Sequence, residues 1–143
     1  MSLVVLDASV AAKWFLPEKI ETLAPEALAL LDAYRKKEIQ IVVPDLFWVE
    51  FASVLWKAIR RGNYPKDSAD AALAYMKGLD FPSVSSLELL DKAFEIATAF
   101  ERTVYDSVYV ALAVQTQSQL ITADERLVNS LAARFPVKWL GTL

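Results

Sequence analysis

Short apolar runs that end abruptly, each followed by a stretch of helical periodicity, constrain this chain more than any other feature. Leu3 to Leu6 is one such run and ends in Asp7; Ser9 to Leu16 then has the length of a short helix and is stopped by Pro17. From Thr22 to Glu38 the apolar positions Leu23, Ala27, Leu30, Leu31 and Tyr34 recur at helical spacing, with Pro25 tolerated in the first turn. Gln40 to Val43 is a second strand, and Asp45, after Pro44, is placed to N-cap a helix that runs to Arg61 and is closed by Gly62-Asn63. Tyr64-Pro65 opens a helix over 66–79, and the link from Asp80 to Ser86 has room for a short strand around Val84. Ser86 to Arg102 is helical, with Leu87, Leu90, Phe94, Ala97 and Phe100 along one face. Thr103 to Tyr105 leads into an apolar helix from Asp106 to Thr116, Gln119 to Thr122 is a strand, Asp124 to Phe135 an amphipathic helix, and Val137 to Leu140 can close the sheet.

Strands separated by whole helices cannot pair as tight hairpins, so an α/β fold is predicted, with a mostly parallel sheet covered on both faces. No repeat or linker divides the chain, and 143 residues suit a single domain over 1–143. A composition 55% hydrophobic and 23% charged predicts a well-filled core. The longest apolar run, Val108 to Val114, falls far short of the roughly 20 residues of a membrane span. The apolar start is cut off by Asp7 with no basic residue before it, so no signal peptide is expected and the cytoplasm is the predicted location.

The chain has no Cys and no His. Disulfides, thiolate zinc sites, cysteine nucleophiles and Ser-His triads are thereby excluded. Carboxylates, Lys, Tyr, Ser and Thr remain for polar chemistry, and oxygen-only ligands favour a hard cation such as Mg²⁺ or Mn²⁺. A net charge of -3 runs against nucleic-acid binding unless several acids are neutralised by bound cations. The bases come in groups, Arg35-Lys36-Lys37 and Lys57 with Arg60-Arg61, and solvated helix ends explain each group alone.

Among the acids, Asp7 and Asp124 each lie just past a strand, where open α/β sheets bind ligands. Capping explains both positions at least as well: Asp7 can cap the helix after it with help from Ser9, and Thr122 to Glu125 matches a capping box that leaves Asp124 an ordinary first-turn acid. Asp106 also begins a helix, but one apolar nearly all round, which draws it inward. Glu50 is explained worst by such roles. Its neighbours at spacings of three and four are Leu46, Phe47, Ser53 and Val54, so it sits on or beside the apolar stripe and needs a partner, either a cation from another helix or a metal. Four carboxylates held close together stay ionised only if a cation compensates them, and divalent metal with carboxylates hydrolyses phosphodiesters without His.

These pieces resemble the PIN-domain family, and within it the VapC-type toxins of toxin-antitoxin pairs. The resemblance rests on Val4-Val5-Leu6-Asp7-Ala8-Ser9-Val10, Pro44-Asp45-Leu46 followed by Glu50, Tyr105-Asp106-Ser107 leading into Ala111-Leu112-Ala113, and Leu120 to Leu127 around Asp124. It implies a PIN-like α/β/α sandwich and a Mg²⁺- or Mn²⁺-dependent endoribonuclease whose catalytic and metal-binding acids are Asp7, Glu50, Asp106 and Asp124, supported by Ser9 and Thr122. It also implies RNA as substrate, a cognate antitoxin as partner and a homodimer. Trp14, Trp48, Trp56 and Trp139 are more aromatic bulk than one small core is expected to bury, which independently predicts self-association. The alternatives are a PIN nuclease of RNA processing without an antitoxin, or a noncatalytic metal- or RNA-binding domain. A phospho-acceptor receiver fits less well, because Asp7 is single and Leu120 to Asp124 offers no Lys, and a haloacid-dehalogenase-type phosphatase wants Asp where Ser9 stands.

Overall fold

Five strands lie side by side, all parallel, in the computed structural model, which describes residues 2–143. They are β1 (Ser2–Leu6), β2 (Ile39–Pro44), β3 (Ser83–Val84), β4 (Gln119–Thr122) and β5 (Val137–Trp139), in the order β3-β2-β1-β4-β5. Parallel neighbours need crossovers, and helices supply them: α1 (Ala8–Ala12), α2 (Ala24–Arg35), α3 (Leu46–Arg60), α4 (Lys66–Leu79), α5 (Ser86–Phe100), α6 (Val104–Gln115) and α7 (Glu125–Leu131). Val4, Val5 and Leu6, then Ile41, Val42 and Val43, are buried without alternation, so both faces of the sheet are covered, as predicted for an α/β/α sandwich.

β1 is central, with Val5 opposite Val42 of β2 and Leu120 of β4. The chain steps from β1 to β2 to β3 in one direction and then crosses back to place β4 on the other side of β1. The strand order therefore reverses between β1 and β4, and a crevice opens at such a point outside the carboxyl ends. The next residues after those two strands are Asp7 and Ala123-Asp124.

The core is aromatic around α3, where Phe47 and Phe51 are fully buried and Phe47 packs edge-on against Trp48 and Phe81. On α6 every residue from Ser107 to Ala113 is buried, as its composition predicts. Trp14 is buried and donates its indole N–H to the Ala27 carbonyl at 2.7 Å, Trp48 and Trp139 are half-buried, and Trp56 is exposed.

Several expectations are corrected. Asp45 adopts helical dihedrals and does not cap α3; its carboxylate accepts the amide of Ser86 at 3.0 Å and the Ser86 hydroxyl, tying the end of β2 to the start of α5. The core face of α5 is Leu89, Ala93, Ile96 and Ala97, while Leu87, Leu90 and Phe94 are exposed. Helix α6 begins at Val104 with Thr103 as its cap, so Asp106 is its third residue rather than its first. Helix α1 ends at Ala12, before Pro17 is reached, and α7 ends at Leu131. Among the described residues no helix is long and apolar enough to cross a membrane.

Candidate metal centre

β1 delivers Asp7 still in extended geometry, with its amide bonded to the Ile121 carbonyl of β4 at 3.2 Å. Its carboxylate accepts the Ser9 amide at 3.2 Å and the Thr122 hydroxyl at 2.8 Å. Asp7 thus caps α1, and it is also clamped from the end of the neighbouring strand. Thr122 is fully buried, and its hydroxyl oxygen in turn accepts the Asp124 amide at 3.1 Å. The expected capping box is absent: Asp124 itself is the N-cap of α7, accepting the amides of Arg126 at 3.0 Å and Leu127 at 3.3 Å, while Thr122 faces Asp7.

The other two acids come from helices. On α3 the buried stripe is Phe47, Phe51, Leu55 and Ala58, and Glu50 flanks it, half-buried. Glu50 Oε1 accepts the hydroxyl of Tyr109 at 2.6 Å. Among the described residues no cation lies within ion-pair distance of it, so the structural ion pair open to Glu50 from sequence is not what holds it. Asp106, half-buried on the first turn of α6, has its amide bonded to the Thr103 hydroxyl at 3.0 Å.

Their electrostatics tie the four together. Burial pushes Asp7 up to about 6; hydrogen bonds from Thr122 and Ser9 oppose this, and repulsion from Glu50 and Asp106 adds to it. Burial also raises Glu50, with Asp106 adding repulsion against the pull of Tyr109 and Lys57. Asp106 is raised by burial and then by Asp124, against Thr103 and Arg102. Each acid lies in the field of at least one other, a concentration of negative charge that a bound cation relieves.

Asp7, Ser9, Glu50, Ser53 and Lys57 line a cleft of about 180 Å³, in which Lys57 is the only base. The Ser9 hydroxyl is buried there without a hydrogen-bond partner. Hard oxygen donors, mutually repelling carboxylates and an unspent hydroxyl fit Mg²⁺ or Mn²⁺ in kind. With the side chains as they stand, no three acids among the described residues converge on one point.

Sequence reading missed two side chains here. Tyr109 sits in an apolar stretch and reads as core; its spacing of three from Asp106, which shares a helix face, is the one available signal. Lys57, grouped with Arg60-Arg61 as a helix end, is two turns from Glu50 on the same side of α3.

Residues 4–130 match the PIN domain family. Ribonuclease VapC3 of Pyrobaculum aerophilum is 34% identical over 133 residues, covering 90% of this chain and 95% of that protein. Among solved structures, PAE2754 from Pyrobaculum aerophilum is similar with a TM-score of 0.72 at 21% identity, over 99% of this chain and 91% of that one. A toxin-antitoxin complex from Klebsiella pneumoniae gives a TM-score of 0.61 at 16% identity, over 94% and 95%. These two show a shared fold; the family match and the relative aligned over most of both chains establish that the chain belongs to the PIN-domain family.

Proposed function

We propose that this chain is a cytoplasmic endoribonuclease that hydrolyses RNA phosphodiester bonds with Mg²⁺ or Mn²⁺ held by Asp7, Glu50, Asp106 and Asp124, and that it is the toxin of a toxin-antitoxin pair. The observation that carries the reading is the gathering of four carboxylates, from β1, α3, α6 and the end of β4, where the strand order reverses. The ribonuclease name of the full-length relative and the toxin-antitoxin complex of similar fold support the substrate and the setting.

Asp7, Glu50, Asp106 and Asp124 would hold a divalent cation, which when bound would supply water activation and charge neutralisation at the leaving oxygen. The chain's own part is placement. Thr122 and the Ser9 amide fix the Asp7 carboxylate, and burial ensures that Asp7, Glu50 and Asp106 are costly to ionise until positive charge arrives. Lys57 gives the cleft one positive charge for a phosphate of the RNA strand, which answers in part the objection from a net charge of -3.

Leu87, Leu90 and Phe94 on α5, with Val49 and Trp56 on α3, leave apolar surface exposed, which supports a homodimer. A strictly monomeric mass across micromolar concentrations counts against that part. Antitoxin pairing is tested by co-purification with the product of an adjacent small gene. For the reaction itself, purified chain should cleave RNA with Mg²⁺ or Mn²⁺, stop in EDTA and work poorly with Zn²⁺; undiminished cleavage by metal-free protein overturns the proposal.

A further inference from the structure

Tyr109 is a buried titratable group that the proposed reaction leaves without a task. It lies on α6 one turn beyond Asp106 and is 2% exposed. A phenol at that depth has to spend its hydroxyl on a partner. Here the hydroxyl reaches across to α3 and donates to Glu50 Oε1 at 2.6 Å, the length of a strong bond to a carboxylate. The hydroxyl therefore ties α6 to α3, whose Glu50 lines the cleft. Glu50 Oε2 has no protein partner among the described residues.

We propose that Tyr109 is a positioning residue, whose hydroxyl holds Glu50 by Oε1 in one rotamer and so presents Oε2 to the cation; this rests on the metal-dependent reading above. A glutamate has three side-chain torsions to fix, and without the hydroxyl it samples several rotamers at the edge of a water-filled cleft. Partners of this kind commonly change metal affinity or activity by about 10- to 100-fold. The role differs from core packing, because the ring fills space whether or not it carries oxygen.

Tyr109→Phe in the full chain tests this. We expect Mn²⁺ affinity, measured by calorimetry without RNA, to fall about tenfold. Cleavage should drop at limiting Mn²⁺ and recover towards wild type at saturating Mn²⁺, with KM for RNA unchanged. In the Glu50→Ala background the same substitution should produce no further change in Mn²⁺ affinity. A folded Tyr109→Phe protein with wild-type Mn²⁺ affinity, or an equal loss in the absence of Glu50, overturns the proposal. Should Tyr109→Phe not fold, Glu50→Asp keeps the charge while withdrawing the carboxylate from the hydroxyl; the same loss of affinity is expected, and wild-type affinity overturns it. Asp7→Asn separates the two failures. If Asp7→Asn cleaves RNA as wild type does, or the wild type binds no Mn²⁺, the nuclease reading itself falls and this inference with it; if Asp7→Asn loses metal and cleavage while Tyr109→Phe changes neither, only the role of Tyr109 falls.

Discussion

The two ends of the same five strands differ in kind. At the amino ends, Ser2, Ile39 and Gln119 border a cavity of about 570 Å³, and Lys138, farther along the sheet, is the only ionisable side chain among the described residues that line it. At the carboxyl ends, a cleft of about 180 Å³ holds Asp7 and Glu50 beside Lys57. Volume does not pick out the end that carries the proposed site; strand direction does. Because all strands are parallel, their carboxyl ends share one rim, and α1, α3 and α7 begin there directly after β1, β2 and β4. Unpaired amides at helix starts favour acids, as the Ser9, Arg126 and Leu127 amides on Asp7 and Asp124 illustrate. The carboxylates that cap helices at this rim, Asp7 and Asp124, are thus also two of the four proposed to hold the cation.

The comparison breaks most visibly at the acids. Asp7→Asn keeps the shape and the capping capacity of the side chain but removes its charge, so RNA cleavage in Mn²⁺ should fall by about 100-fold or more, on the order of 3 kcal/mol of transition-state stabilisation. Glu50→Gln should reduce cleavage comparably while leaving the metal-free melting temperature within a few degrees of wild type, because its partner is the Tyr109 hydroxyl and a neutral amide oxygen still accepts from it. Were Glu50 half of a buried ion pair, the same change would strand a cation and cost about 3 kcal/mol. Cleavage assays beside melts in EDTA decide; a large loss of melting temperature with cleavage retained removes Glu50 from the site.

What was legible in the sequence followed the range over which each cause acts. Asp7 and Asp124 could be placed on one rim because a strand's end is a local event, and parallel pairing followed from helix-length connections. Asp45 was misread because its partner, Ser86, lies 41 residues away on the far side of a crossover. The capping box at Thr122 failed for the same reason, since the Thr122 hydroxyl is drawn to Asp7 on a neighbouring strand. Helix α5 carries two apolar stripes, and only packing against α6 selects Leu89, Ala93 and Ile96 over Leu87, Leu90 and Phe94. Glu50 was visible as an anomaly, but the identity of its partner was not, because a Tyr in an apolar helix is indistinguishable from core until the fold brings α3 and α6 together.

A moderate effect should appear in the pH dependence of metal-free stability. Asp7 sits at about 6 in the fold against an ordinary value of 3.8, and Glu50 and Asp106 are raised too. The folded state therefore binds these protons more tightly than the unfolded chain. The stabilisation is full below about 4 and is lost as pH rises through about 6; for Asp7 the shift is worth roughly 3 kcal/mol. Denaturant midpoints in EDTA should rise as pH is lowered from 7.5 towards 5, and Asp7→Asn should flatten that rise. A wild-type midpoint that falls steadily over the same interval contradicts the burial of these acids.

The smallest effect compares the two lysines that face the two ends. Lys57 lines the acidic cleft and has neither an ion pair nor a hydrogen bond among the described residues, whereas its neighbour Arg60 lies over the Trp56 ring at 5.3 Å. Lys138, on β5, lines the larger cavity instead. One phosphate contact to a single strand contributes about 0.7 to the slope of log affinity against log salt. With Asp7→Asn as background to prevent cleavage, Lys57→Ala should therefore weaken RNA binding a few-fold at low salt and reduce that slope by about 0.7. Lys138→Ala should change neither. Filter binding or fluorescence anisotropy over a salt series reads both quantities. Equal losses for the two lysines would mean that RNA runs over both ends of the sheet and that the contrast between them is one of chemistry alone; a loss confined to Lys138→Ala would place the RNA-binding surface away from the acids and separate binding from the cleft.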